Sequence, residues 1–164
     1  MRIKVQAIAA ATLISAFGIS AASAADQTMF LHDAIAGSIA EVQMGQLAQQ
    51  NGGSADVKSF GQMLVTDHSK AMDQAAALAK SMNVSVPTEP EPDAQQVYQK
   101  LQGLKGVEFD KAFTEQMVSG HEKTIAEFDE QAKGSDQVAE FAKTTLPVLQ
   151  THLDTAKKLE ANQE

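Results

Sequence analysis

Apolar residues recur along most of this chain at alternating steps of four and three residues, the spacing that lines one face of an α-helix against its neighbours. The most regular run lies near the C-terminus: Val138, Ala142, Thr145, Leu149, His152, Ala156 and Leu159. A second reads Val57, Gly61, Leu64, His68, Ala71, Ala75, Leu78 and Met82. A less even run of Phe109, Phe113, Met117, Ile125 and Phe128 brackets His121, and the earliest run joins Phe30, Ala34, Gly37, Glu41, Met44 and Ala48.

Helix-stopping and helix-capping residues bound these runs. The first helix is expected over about 28–50, stopped by Asn51-Gly52-Gly53. Ser54 is a good N-cap for a second helix reaching about Met82. Pro87, Pro90 and Pro92 then forbid helix, and Asp93 is expected to cap a short helix ending near Gly103. A further helix is expected over about 107–133 before Gly134, and a last one from a Ser135 cap to about Ala161, kinked at Pro147. The class is all-α. Two hairpins with short turns, joined by a long connection that holds a short extra helix, predict a four-helix bundle with one long crossover, the ferritin-like arrangement. An up-down-up-down bundle would not need so long a connection, although its length permits one.

The N-terminal segment differs from the rest. Arg2 and Lys4 precede an apolar run from Val5 to about Ile19, and Ala22-Ser23-Ala24 supplies a small-x-small cleavage pattern. Residues 1–24 therefore read as a secretory signal peptide, leaving 25–164 as one domain and a periplasmic or secreted location. No later stretch is apolar for long enough to cross a membrane. The leader holds two of the 13 basic residues and none of the 21 acidic ones, so the remainder carries a formal net charge of −10 instead of −8. Nucleic acid is excluded as a partner by that balance, because binding it needs clustered Lys and Arg. With no cysteine, disulfides and thiolate ligands are also excluded, and any metal must be held by His, Asp, Glu or Met.

Each apolar run carries one ionisable residue near its middle: Glu41, His68, His121 and His152. At ~1.5 Å rise per residue, all four fall within roughly one to two turns of bundle mid-height in either topology. Buried groups of this kind are normally paired, hydrogen-bonded or bound to metal. Three neutral imidazoles and a carboxylate form a plausible set of ligands for a divalent transition metal such as iron, manganese, zinc or copper. Asp67, Asp110 and Glu122 are candidates for support from behind the ligands, since a metal-bound imidazole usually needs an acceptor for its other nitrogen. The plainer reading of Asp67 and Glu122 is solvated charge, while Asp110, eleven residues before His121 on a similar face, is as readily inward as outward. Met44, Met72 and Met117 lie within a turn of Glu41, His68 and His121, where thioethers would suit copper(I), but methionine is also ordinary core filler. His32, far from mid-height, reads as a surface residue.

Several segments carry a family resemblance: Ala40-Glu41-Val42-Gln43-Met44-Gly45, Met63-Leu64-Val65-Thr66-Asp67-His68, Phe109-Asp110-Lys111-Ala112-Phe113, Val118-Ser119-Gly120-His121, and Thr145-Leu146-Pro147 with His152-Leu153. Over about 28–160 the chain resembles the domain of unknown function 4142 family, placed with the ferritin-like superfamily and often labelled exported or outer membrane protein. The resemblance implies that fold and association with the outer membrane as an expectation, and it implies no activity. The family often has an aspartate where this chain has Gly120. The Glu-x-x-His motifs of ferritin di-iron centres are missing, because Val65 and Leu149 stand three residues before His68 and His152.

Two functions compete at this level. One is a metal-binding bundle engaged in metal handling or envelope stress protection. The other is a non-catalytic envelope interaction protein whose Glu and His residues form a structural hydrogen-bond network. A redox enzyme would need an open coordination position and a substrate path, neither of which is written in a sequence.

Overall fold

The computed structural model describes residues 21–163, with side chains from residue 24, so most of the expected leader lies outside the described residues. Five helices and no strands are present among them: α1 Ala21–Asn51, α2 Ala55–Ser81, α3 Pro92–Gln102, α4 Gly106–Gln131 and α5 Gln137–Ala161. No helix among the described residues is long and apolar enough to cross a membrane.

Local chemistry sets the helix ends. Ser54 caps α2 as expected, its side chain accepting from the Val57 N–H at 3.1 Å. Two other caps shift by a residue or two. Asp136, not Ser135, caps α5, accepting from the Ala139 N–H at 2.9 Å, because its carboxylate adds charge to the hydrogen bond at the positive helix end. Glu91 rather than Asp93 precedes α3, since Pro92 fits the first helical position, where its fixed φ helps and its missing N–H costs nothing. α4 stops at Gln131, three residues before Gly134. α5 runs uninterrupted through Pro147. α1 reaches back further than expected, to Ala21, and so includes the Ala22-Ser23-Ala24 segment.

The long helices form two hairpins, α1 with α2 and α4 with α5, and the hairpins pack together chiefly through α2 on α5 and α1 on α4. Gly45 and Gly61 mark the α1–α2 crossing. A Cβ at either would stand 2.6 Å from the other's carbonyl oxygen, so only glycine permits this approach. Phe30 of α1 meets Phe128 of α4 edge-on at 4.8 Å, whereas the α1–α2 turn meets the start of α4. There buried Asp110 accepts the backbone N–H groups of Gly53 and Ser54, each at 2.8 Å. α1 and α4 are therefore antiparallel and α2 and α4 parallel. The connection through α3 must consequently return along the length of the bundle, with α3 lying on α1.

The expected faces of α2, α4 and α5 are largely buried, and all seven residues of the α5 run are. The register expected for the first half of α1 is corrected. Gly37 is exposed and Phe30 and Ala34 only half-buried, while Leu31, Ile35 and Ser38 turn inward. Burying Leu31 and Ile35 removes more apolar area from water than burying Ala34 and Gly37 would, so the helix rotates by about one residue.

The core divides into two apolar clusters. One gathers Met44, Phe60, Leu64, Phe113, Met117 and Ala156; the other gathers Ile35, Ala75, Phe128, Ala142 and Leu149. In sequence, His68, His121 and His152 each fall between a residue of the first cluster and one of the second. A polar layer interrupts the apolar core at that level.

Candidate metal centre

α2, α4 and α5 each contribute one buried imidazole to this layer: His68, His121 and His152 are 7%, 2% and 1% exposed. Their ring centroids form a triangle with sides of 5.8, 5.2 and 5.3 Å. One nitrogen from each ring can be chosen so that all lie within 4.8 Å of one another.

Hydrogen bonds fix which nitrogens are free on two of the rings. His121 Nδ1 lies 2.9 Å from the Met117 carbonyl oxygen, which can only accept, so Nδ1 carries the proton and Nε2 is bare in the neutral ring. His152 Nε2 lies 3.0 Å from Asp67 Oδ2, so Nε2 donates to the carboxylate and Nδ1 is bare. The two bare nitrogens face each other at 3.3 Å. Two lone pairs at that distance repel unless a proton or a metal ion sits between them. In a tetrahedral site with bonds of about 2.0–2.1 Å, neighbouring nitrogen donors stand about 3.3–3.4 Å apart, so the separation of this pair matches that of two metal-bound nitrogens.

Two further groups lack partners. His68 Nε2 and Glu41 Oε2 are both sealed from solvent with no hydrogen bond. Glu41 is half-buried as a residue, but this carboxylate oxygen is inside. Each such atom costs about 1–3 kcal/mol if left unsatisfied. Glu41 does not join the compact donor group, yet it is close enough for a positive His121 to lower its pKa.

Burial governs the charges here. It raises the Glu41 pKa, with His121 opposing. It pushes His68 well below the ordinary histidine value, and positive charge on His152 or His121 would push it further. It also lowers His152, against the opposing hydrogen bond that His152 donates to Asp67. His68 and His152 are therefore held neutral, the form in which imidazole binds metal.

The other candidates are placed elsewhere. Asp67 sits behind His152, on the side away from the cluster. Asp110 is spent on the α1–α2 turn, and exposed Glu122 pairs with Lys157 at 2.7 Å, so neither supports the histidines. His32 is at the surface, 3.4 Å from Asp33 and 3.6 Å from Glu91, both exposed. Sequence reasoning missed the Met117 carbonyl and Phe60. The first could have been found, because a helix carbonyl lies within reach of a side chain four residues on. Phe60, edge-on to His152 at 6.2 Å, has no comparable signal, lying one residue off the expected face.

Fold and cluster together define an all-helical protein with a buried histidine triad between two apolar half-cores. This chain belongs to the family described as domain of unknown function (DUF4142), whose family model matches residues 15–159 and spans every residue of the cluster. No curated protein and no solved structure matches the chain.

Proposed function

We propose that this protein is an exported, ferritin-like four-helix bundle that binds one divalent transition metal through His68, His121 and His152, with Glu41 as the fourth ligand. The observation that carries the reading is the 3.3 Å approach of two imidazole nitrogens whose protons are committed elsewhere, beside an unpartnered third imidazole and carboxylate. A cation among the three imidazole nitrogens satisfies them at once, and Glu41, which lies outside that compact group, would have to move toward the ion to complete the set. The parallel α2 and α4 with their lengthwise connection support the ferritin-like topology. The basic start, apolar run and small-x-small pattern of residues 1–24 support export to the periplasm or beyond. Iron, manganese, zinc and copper(II) all accept such a donor set. Metal handling or protection of the envelope against metal stress is the role that fits.

Elemental analysis of the protein isolated from its native compartment, with His68→Ala and His152→Ala beside it, tests the reading. Near-stoichiometric metal that both substitutions abolish is expected. Trace metal that neither changes would refute it.

The Asp67–His152 hydrogen bond favours a second reading, a purely structural network in an interaction protein. That reading leaves Glu41 Oε2 and His68 Nε2 unexplained. It predicts a melting temperature indifferent to chelator, whereas the metal reading predicts a fall.

A further inference from the structure

The histidine layer is closed above and below by the two apolar clusters, and Leu64, Met117 and Leu149, one turn from each histidine, are buried. Its flank between α2 and α5 is different. A cleft of about 160 Å3 opens there to solvent, with Asp67 and Lys70 on the α2 side and Thr144, Thr145 and Val148 on the α5 side. Asp67 belongs to both places. Its side chain is 37% exposed, and its Oδ2 accepts from His152 Nε2 at 3.0 Å. One imidazole ring thus separates the cleft from the cluster, since the opposite nitrogen of His152 is the one facing His121.

We infer that this cleft is the port through which a divalent ion reaches and leaves the histidine cluster, with Asp67 as its first protein ligand. The inference rests on the metal-binding reading above. A hydrated cation must exchange water for protein donors stepwise. A carboxylate at the mouth supplies the first oxygen, and the ring it holds supplies the next donor once that hydrogen bond opens and the imidazole turns. Through the apolar clusters above and below, the ion would have to part side chains packed at crystal-like density. Lys70 is exposed on the rim, and its charge opposes the approach of a cation.

Stopped-flow loading of the metal-free protein with Co2+, followed by release to excess chelator, tests the port. Val148→Trp fills the cleft without replacing any residue of the cluster or Asp67, so loading and release should both slow by about tenfold while the equilibrium affinity stays within about twofold. Thr144→Trp, on an exposed position of the same wall, should do the same and serves if the first variant folds poorly. Asp67→Asn should slow loading and also weaken binding, because it removes both the capture oxygen's charge and the support of His152. Lys70→Gln should speed loading. Gly37→Leu, on an exposed α1 position one turn from Glu41, should change neither rate. Unchanged rates in both tryptophan variants with Co2+ binding intact, or slowing by Gly37→Leu instead, would overturn the port and leave the metal site standing. Failure of the unmodified protein to take up Co2+ would remove both.

Discussion

Replacing a buried histidine by leucine ordinarily destabilises a protein that uses the histidine's hydrogen bonds, but at position 68 the structure points the other way. His68 is 7% exposed, its Nε2 has no partner, and burial depresses its pKa far enough to keep it neutral. In the metal-free state it therefore contributes an unsatisfied polar atom, at a cost of about 1–3 kcal/mol, and leucine of similar volume removes that atom while keeping the space filled. His68→Leu in the presence of chelator should be more stable than the unsubstituted protein by about 1–3 kcal/mol, a rise of roughly 3–10 °C in melting temperature for a domain of this size. With saturating Zn2+ the order should reverse. At about 1,000 times the dissociation constant the metal adds about 4.1 kcal/mol to the unsubstituted protein and little to the variant. Thermal and urea denaturation of both proteins, each with chelator and with Zn2+, measure all four states. A chelated variant that loses more than about 1 kcal/mol would show that His68 is held by interactions worth more than its desolvation. The reasoning from orphaned atoms to a metal site would then fail.

The chelated protein should lose stability as pH falls below 6.5, because the unfolded chain protonates there while buried His68 and His152 resist, and His68→Leu should flatten that loss in pH-dependent melts. Glu41 acts oppositely, since its raised pKa favours the fold at low pH and its contribution is lost as pH rises through the folded value; Glu41→Gln should improve the chelated protein's stability at neutral pH, read by the same melts. Gly45→Ala should destabilise by about 1–3 kcal/mol because the added methyl meets the Gly61 carbonyl, whereas Gly37→Ala, facing open space mid-helix, should stabilise by about 0.5–1 kcal/mol; urea titrations report both. Equilibrium titration should saturate at one Zn2+ per chain.

Helix number, the long connection and three of the four inward faces were legible because each rests on a local rule: a four-three apolar spacing, a capping serine, a proline cluster. On α1 the rule was ambiguous. Two faces offset by about one residue are both apolar there, and a register drawn through Glu41 selected the face with the smaller side chains, Ala34 and Gly37. Tertiary packing chose Leu31 and Ile35 instead, and no pattern within one helix reports what its neighbours have room for. The same limit applies to the site. That His68, His121 and His152 sit on inward faces could be read from spacing, but which nitrogen of His152 faces inward depends on Asp67, 85 residues away in sequence. Asp110 and Glu122 show the reverse, since adjacency to a promising face said nothing of the backbone N–H groups or the lysine that engage them.

Charge would limit the proposed site to one ion rather than two. Three neutral imidazoles contribute nothing to the balance, and a divalent ion buried among them would leave two positive charges in a low-dielectric interior, at a cost of several kcal/mol or more. Glu41 supplies one negative charge beside His121, and Asp67 supplies a second through its hydrogen bond to His152. The assembly of ion, ligands and supporting carboxylate would then be neutral overall. A second divalent ion would need two more carboxylates in the same layer. Val65 and Leu149 occupy the positions from which a Glu-x-x-His motif would provide them, Asp110 is committed to the α1–α2 turn, and Glu122 points to Lys157 at the surface. A limit to one ion would thus follow from where the acidic residues are spent, although the chain as a whole carries a large excess of them.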